Sequence, residues 1–494
     1  MDAAVPRSSY GRFANTSLKR PQTLASFYYI LYKFAGVSAH CYDANMPREH
    51  IHFIGIGGIG VSALARFYHT HGAIVSGSDL VRSEITDALK HEGIRIFIGR
   101  HTTANIARTV TRVVMTSAVK SDNPELREAR QRRIPIQAYA QALADATEGY
   151  ASIAVAGAHG KSTTTALTAL VLIQGGLDPT VIVGTKLREF HPPAGGSNFR
   201  LGKSKYFIYE ADEYRASFLN YHPTIAVVTN IDREHLDFYK NVRAIESAFL
   251  KFLTNLQPRG IAVLNRNDKR LHRIAMRLKR LRPDCRIIWY SRNDPAAAKI
   301  QKVLRIPGKH NISNALAAYA VGRTLHIPQS IIYRALGAYR GAWRRFDYQG
   351  VLFDAKVFAD YAHHPTEIKA TLQGTREKFP KSKIWCVFQP HHYERTRDLF
   401  PEFVKAFDEC DELVLLDIYE VAGRERAAKQ SDVSSEYLAR AISRRGLPAT
   451  YISNTTRLRL FLRTRLGEDC VLLMMGAGSI WETTKQLMTS GKGE

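Results

Sequence analysis

Residues 154–167 read AVAGAHGKSTTTAL, and the spacing of their two glycines decides how the middle of the chain folds. An apolar run leads into a Gly-containing turn, and a Thr-, Ala- and Leu-rich stretch follows. That order predicts a strand, a tight turn and a helix, with backbone N–H groups of the turn available to phosphate oxygens. A general phosphate loop has the form G-x-x-x-x-G-K-[ST]. Here the residue five before Gly160 is Val155, and the loop is the shorter Gly157-Ala158-His159-Gly160-Lys161-Ser162. Lys161 still follows the last glycine, where an ammonium can reach β- and γ-phosphates. Ser162 still offers a hydroxyl to Mg²⁺, and Thr163, Thr164 and Thr165 extend the hydroxyl-rich first turn.

Outward from this loop the same rhythm repeats. "SIAVAG", "TVIVG", "YFIYEAD", "TIAVVTN" and "GIAVLN" are continuous, β-branched apolar runs that suit strands covered on both faces. Upstream, "IHFIGIGG", "AIVSGSD", "RVVMTSAV" and "IPIQAYAQAL" alternate with helical patterns such as "VSALARFYHTHG", which Gly72 ends. Downstream of "GAWRRFDY" come "VFADYAHHP", "KIWCVFQP", "ELVLLDIY", "ATYIS" and "CVLLMMGAGS". At 494 residues the chain has room for about three domains, and the pattern predicts three α/β units in series.

The first unit opens with GIGGIG, residues 55–60, which matches G-x-G-x-x-G between a strand and a helix. Asp79 follows about twenty residues later at the end of the next strand, as a dinucleotide fingerprint requires. A pyrophosphate could sit on the helix N-terminus. NAD and UDP-sugars both carry one, so the fingerprint alone leaves the ligand open.

Bulk composition excludes several classes. The net charge is +25, yet the basic segments "KRLRPDCR" and "RQRR" are brief, and no RNP motif, zinc-finger spacing or basic heptad region occurs. Nucleic acid is therefore not expected as a partner. No run of about 18 apolar residues predicts a membrane-spanning helix. Cys41, Cys285, Cys386, Cys410 and Cys470 are scattered with no C-x-x-C pair, which argues against a disulfide scaffold and fits a reducing compartment. Residues 1–46 show no clear period. Lys33 interrupts the apolar run that a signal peptide would need, and this stretch is read as an extension without an assigned role.

The loop G-x-H-G-K-[ST]-T-T resembles that of the Mur ligases, ATP-dependent amide-bond-forming enzymes of peptidoglycan precursor synthesis. From about residue 50 to 482, further motifs follow in the family's order: "HFIGIGGIGVSALA", "EADEYRASFLNYHPTIAVVTNIDREHLDFY", "PGKHNISNALAA", "RRFDYQG", "DYAHHPTEI", "FQPHHYERTRDLF" and "GAGSI". The resemblance implies an α/β fold of three domains. These are a Rossmann-like UDP-sugar-binding domain over 47–148, a central P-loop ATPase-type domain over 149–342, and a Rossmann-like amino-acid-binding domain over 343–494. It implies ATP and Mg²⁺ as cofactors and UDP-N-acetylmuramate and L-alanine as substrates. The lactyl carboxylate attacks the γ-phosphate, and the amine then attacks the acyl phosphate. A cytoplasmic monomer or homodimer, not inserted in a membrane and serving cell-wall growth and division, is expected.

Carried over residue by residue, the resemblance implies a catalytic set of Lys161, Glu210, His235 and Arg345. It implies metal ligation by Ser162, Glu210 and His235, with Asp212 and Glu213 ranked lower and Asn230 in the His235 loop. ATP is expected to meet Gly157, Ala158, His159, Gly160, Lys161, Ser162, Thr163, Arg345 and Asp360, with His310, Asn311 and Asn314 on the adenine side. Gly57, Gly58, Gly60, Ser78 and Asp79 are expected on the UDP-sugar, with 116–125 near the same site. Tyr361, His363, His391 and Arg395 are expected on the amino acid. Ala158, Glu234, Ala359 and His392 depart from the usual family residues.

Three other readings stand beside this one. A murein-peptide ligase would attach a recycled tripeptide to the same nucleotide. An NAD-dependent oxidoreductase would use the first fingerprint but has no need of the second phosphate loop. A catalytically inactive binding protein is kept open by Ala158 and Ala359. The doublets His363-His364 and His391-His392 raise a metal site, but no cysteine or acid completes a recognised spacing. If Arg345 and Asp360 reach ATP held on the middle domain, the third domain must close over it.

Overall fold

The computed structural model describes residues 48–191, 195–235, 238–420 and 433–489; the 1–46 extension and Cys41 lie outside them. Each apolar run named above becomes a strand. β1 (His50–Ile54), β2 (Ile74–Asp79), β3 (Arg95–Ile98), β4 (Arg112–Met115) and β5 (Ile136–Ala138) form a parallel sheet in the order β3-β2-β1-β4-β5. Parallel strands need crossover helices, which cover both faces, and β1 is buried along its whole length. The strand order reverses between β1 and β4. Ligands of such sheets bind in the crevice at that reversal, beyond the carboxyl ends, where the 55–60 turn and the 116–123 loop emerge.

The middle sheet contains β6 (Ala151–Ala156), β7 (Thr180–Leu187), β8 (Ser197–Arg200), β9 (Tyr206–Glu210), β10 (Ile225–Val228), β11 (Ile261–Asn265) and β12 (Arg286–Tyr290). Its order is β12-β11-β10-β6-β9-β7-β8, parallel except for the β7–β8 pair. The third sheet contains β13 (Asp347–Leu352), β14 (Ala355–Asp360), β15 (Lys383–Phe388), β16 (Glu412–Leu415), β17 (Ala449–Tyr451) and β18 (Cys470–Met475). Its order is β13-β14-β18-β15-β16-β17, with only β13–β14 antiparallel. Among the described residues the four cysteines are buried and unpaired, and no helix is long and apolar enough to cross a membrane.

The sheets are joined by packing and by buried polar contacts. Helix Ile59–Thr70 of the first unit lies against β7 and β8, with Phe67 5.5 Å from the Phe207 ring. Arg66 Nη1 donates to Asn198 Oδ1 at 2.6 Å, and the Asn198 amide donates to Ser62 Oγ at 2.8 Å and to the Ile59 carbonyl. Glu92 holds the other edge of the guanidinium. Between the second and third sheets, Trp343 N–H donates to the Lys186 carbonyl, and Arg344 and Phe346 adopt left-handed φ of 57° and 51°. Non-glycine residues take that conformation only when their surroundings hold them there. Here Asp360 does so by accepting the Phe346 N–H at 2.8 Å.

Asn198→Ala would leave the buried Arg66 guanidinium short of an acceptor. The expected cost is about 1–3 kcal/mol of stability, read by chemical denaturation of the purified protein. An unchanged denaturation midpoint would show that this joint is dispensable.

Candidate active site

The carboxyl ends of all three sheets converge on one cavity of about 1200 Å³. The first sheet supplies Gly58, Gly60 and the 116–122 loop, the second Lys161, Ser162 and Glu210, and the third His363, His391 and Arg395.

The short phosphate loop is compressed from two sides. Gly157 has φ 135° and Gly160 has φ 81°; a Cβ on the first would overlap Thr229 Oγ1, and on the second Asn314 Oδ1. Only glycine fits either place. The turn is braced through its backbone. His159 N–H donates to Asn230 Oδ1 at 2.9 Å, and Thr229 Oγ1 and Asn230 Nδ2 donate to the His159 carbonyl at 2.6 and 3.0 Å. The N-terminus of helix Lys161–Gln174 consequently faces the cavity, as an anion site requires.

Lys161 Nζ donates to the Gly157 carbonyl at 2.7 Å and to Glu213 Oε2 at 2.8 Å. Burial disfavours its charge, but Glu213 and Asp212 outweigh burial and hold its pKa above the lysine range. Glu213 is the mirror case. Burial favours its neutral form, yet Lys161 and His235 bring its pKa down to about 2. Glu210 behaves differently. Burial raises its pKa, and the Gly184 N–H, Lys161 and the Ser162 hydroxyl at 3.1 Å offset this only in part. A half-buried carboxylate short of positive charge beside a hydroxyl is a hard-oxygen pair that suits Mg²⁺. His235, expected with that pair, instead has Nε2 3.6 Å from Glu213 Oε1. Asp212, Glu213 and His235 bring their ligand atoms within 4.8 Å of one another. The expected metal trio thus divides into two neighbouring groups, and Glu213, ranked low from sequence, is the residue both Lys161 and His235 contact.

Asp360 does not line the cavity. Its oxygens accept the N–H groups of Phe346 and Ala362, each at 2.8 Å, and the Thr371 hydroxyl at 3.3 Å, so it anchors the segment that carries Arg345. Arg345 does line the cavity, over the Tyr361 ring at 5.1 Å. Burial disfavours its charge, but Glu367 and Asp360 outweigh that and raise its pKa. His363 is pushed down to about 4 by burial. The His391 ring lies 5.6 Å from Tyr419, stacked at 12°. Arg395 donates to Glu234 Oε2 at 3.2 Å and lies 3.3 Å from His391 Nδ1.

The three residues expected on the adenine side, His310, Asn311 and Asn314, share the helix Lys309–Thr324. Asn314 backs Gly160, Asn311 Nδ2 donates to the Pro307 carbonyl at 2.7 Å, and burial pushes His310 down to about 4. None of these three lines the cavity, and neither do Gly157, His159 or Thr163. In the first unit, Asp79 accepts the Gly57 N–H at 2.8 Å and so shapes the turn. Ser78 is buried and donates to Glu125 Oε2 at 2.7 Å. Gly57, Ser78 and Asp79 stand behind the cavity wall.

Residues 50–151 match the Mur ligase family catalytic domain, 155–322 the Mur ligase middle domain and 344–478 the Mur ligase glutamate ligase domain. The chain belongs to the Mur ligase family. It is 40% identical over 463 residues to the UDP-N-acetylmuramate–L-alanine ligase of Desulfosudis oleivorans, covering 89% of this chain and 98% of that one. It is 41% identical over 458 residues to the Geobacter sp. (strain M21) ligase of the same name, covering 89% and 97%. The crystal structure of UDP-N-acetylmuramate-alanine ligase from Thermotoga maritima superposes with a TM-score of 0.73 at 27% identity, covering 89% of this chain and 98% of that one.

In this Mur ligase, His159 ties the middle sheet to the third. Its Nε2 is 3.1 Å from Asp232 Oδ2 and its Nδ1 3.4 Å from Glu367 Oε1. The Thr366 hydroxyl donates to Asp232 Oδ2 at 2.9 Å. Glu367, unnoticed in the sequence, is the acidic third residue of helix Pro365–Lys378, whose capping box it completes with His364. In "HHPTE" the N-cap is a histidine where the usual signature has Ser or Thr, so only Glu367 at the third position matches it.

Burial disfavours the His159 cation, but Asp232 and Glu367 outweigh burial and raise its pKa from 6.5 to about 10. A raised histidine pKa gives stability that is complete below the unfolded value and lost as pH climbs through the folded one. The melting-temperature gap between wild type and His159→Asn is therefore expected to be largest below pH 6.5 and to close as pH passes about 10. A gap independent of pH would rule out the charged bridge.

Proposed function

We propose that the protein is an ATP-dependent ligase that joins L-alanine to the lactyl carboxylate of UDP-N-acetylmuramate in peptidoglycan precursor synthesis. One observation carries this reading: a nucleotide-type glycine turn, a phosphate loop and a His/Arg-lined face meet in a single cavity. The names of the relatives support it. A dehydrogenase has no use for the second of these three walls.

In the reaction, a lactyl carboxylate oxygen bonds to the γ-phosphorus as the bridging P–O bond breaks and ADP leaves. The alanine amine then bonds to the acyl carbon, gives up a proton, and phosphate departs. Such transfers need alignment and charge neutralisation more than covalent help. Lys161 exchanges its Gly157 carbonyl contact for β- and γ-phosphate oxygens. Glu213 keeps the ammonium aimed while that exchange occurs. Arg345 approaches the phosphates from the third domain, and Asp360 positions it. Gly58 and Gly60 leave room for the UDP pyrophosphate beside the 116–122 loop. The Arg395 fork, oriented by Glu234, is placed to take the alanine carboxylate, with Tyr361, His363 and His391 around it.

Ser162 and Glu210 would hold Mg²⁺, and Asp212, Glu213 and His235 form a second donor group beside them. The ion supplies neutralisation of phosphate charge. We assign the UDP-sugar to 47–148, ATP to 149–342 and the amino acid to 343–494. The protein acts in the cytoplasm as a monomer or homodimer.

Phosphate release is expected from ATP, Mg²⁺ and UDP-N-acetylmuramate with L-alanine, and not with the murein tripeptide. Turnover with tripeptide alone would assign the recycling activity instead. Excess EDTA should abolish release. Lys161→Ala should lower it by roughly 10²–10³-fold or more, the scale of losing one preorganised charge contact, with an unchanged circular dichroism spectrum. Near-wild-type turnover of that variant would remove Lys161 from the mechanism.

A further inference from the structure

The ligase reading leaves most of the chain's +25 charge unused. The richest single piece is helix Lys269–Leu281, KRLHRIAMRLKRL, which contains no acid. Leu271, Ile274, Ala275 and Leu278 recur at i, i+3, i+4 and i+7 and are buried, seating the helix on the middle domain. Arg273, Met276, Arg277 and Arg280 repeat the same spacing and are all exposed, with Lys269 one turn earlier. At 1.5 Å rise per residue, Lys269 to Arg280 is a stripe about 16 Å long. Met276, in its middle, is 61% exposed, and Leu281, at its end, 59%.

Few acids answer this face. Glu246, on helix Val242–Thr254 packed alongside, pairs with Arg273. Asp284 is taken by Arg282. Among the described residues, no ion pair engages Arg277, Lys279 or Arg280. On edge strand β12, Trp289 lies under His272, ring centroids 4.8 Å apart, with the Arg266 guanidinium 5.9 Å from its ring. No residue of the helix lines the active-site cavity.

We propose that this face docks the protein on an anionic lipid bilayer. Guanidinium and ammonium groups meet lipid phosphates, while Met276 and Leu281 sink below the headgroups. The inward stripe is committed to the protein core, so the helix binds as a rigid face and does not peel off and insert. A lipid surface fits better than a nucleic acid, because a phosphodiester backbone would leave both exposed apolar side chains wet. This inference is independent of the ligase assignment.

The test is co-sedimentation of the full chain with vesicles of phosphatidylcholine alone or with about one-third phosphatidylglycerol. Binding is expected only to the anionic vesicles and should fall steeply as salt shortens the Debye length. Arg277→Glu with Arg280→Glu should weaken partitioning roughly tenfold or more while ligase turnover stays at wild-type level. Met276→Ser should weaken it to a smaller extent. The same charge change at Lys381 and Arg444, exposed on the third domain, should leave most of the binding in place. The proposal fails if anionic vesicles are not bound, or if the Lys381/Arg444 variant loses as much as the helix variant. It also fails if duplex DNA is bound more tightly than vesicles and Met276→Ser changes neither.

Discussion

The turn at 157–160 is clamped between Thr229 and Asn314, and the rest of the site takes its position from that clamp. With no space for a side chain at Gly157 or Gly160, the loop has two residues fewer than usual between its glycines. It still delivers the lysine and the helix N-terminus to the cavity. The backbone of His159 is held by Asn230 and Thr229, while its ring meets Asp232 and Glu367. One residue therefore sets the loop and the approach of the third sheet together.

Charge distribution around the loop follows from the same placement. Glu210, half-buried, and Glu213, buried, lie three residues apart, yet their proton affinities shift in opposite directions. Glu213 has an ammonium and an imidazole against it, so ionisation is favoured. At Glu210 the Gly184 N–H, then the Lys161 charge and the Ser162 hydroxyl, offset burial only in part, so its anion is under-compensated. Such a carboxylate gains most from a divalent ion. The Lys161 ammonium, in contact with Glu213, meanwhile stays charged despite its burial. Across the domain boundary, Glu234 does a related task for Arg395. Its side chain bridges the middle and third sheets.

Legibility of the strands depended on where each sits in its sheet. Most interior strands of the second and third sheets, covered on both faces, appear as apolar runs. β3, β8, β12 and β13 do not, and all four are edge strands. One side of an edge strand meets solvent, so residues such as Arg95, Arg286 and Gln349 are tolerated there and the apolar signal dissolves. Candidate site residues divided in the same way. Glycines, Lys161 and Ser162 act through local backbone geometry, which a spacing of a few residues specifies. Glu213 and Glu367 act on partners 52 and 208 positions away, Lys161 and His159, and nothing in their own neighbourhoods announces that.

Sequence alone determined three α/β units, a nucleotide-type turn in the first and a shortened phosphate loop in the second, because strand period, glycine position and helix capping are local properties. Only the tertiary structure decided which carboxylate answers Lys161, that Asp360 anchors Arg345 from behind the cavity wall, and that His235 joins Glu213. Those outcomes depend on the direction in which each sheet presents its carboxyl ends, and that direction is set by packing between units far apart in the chain.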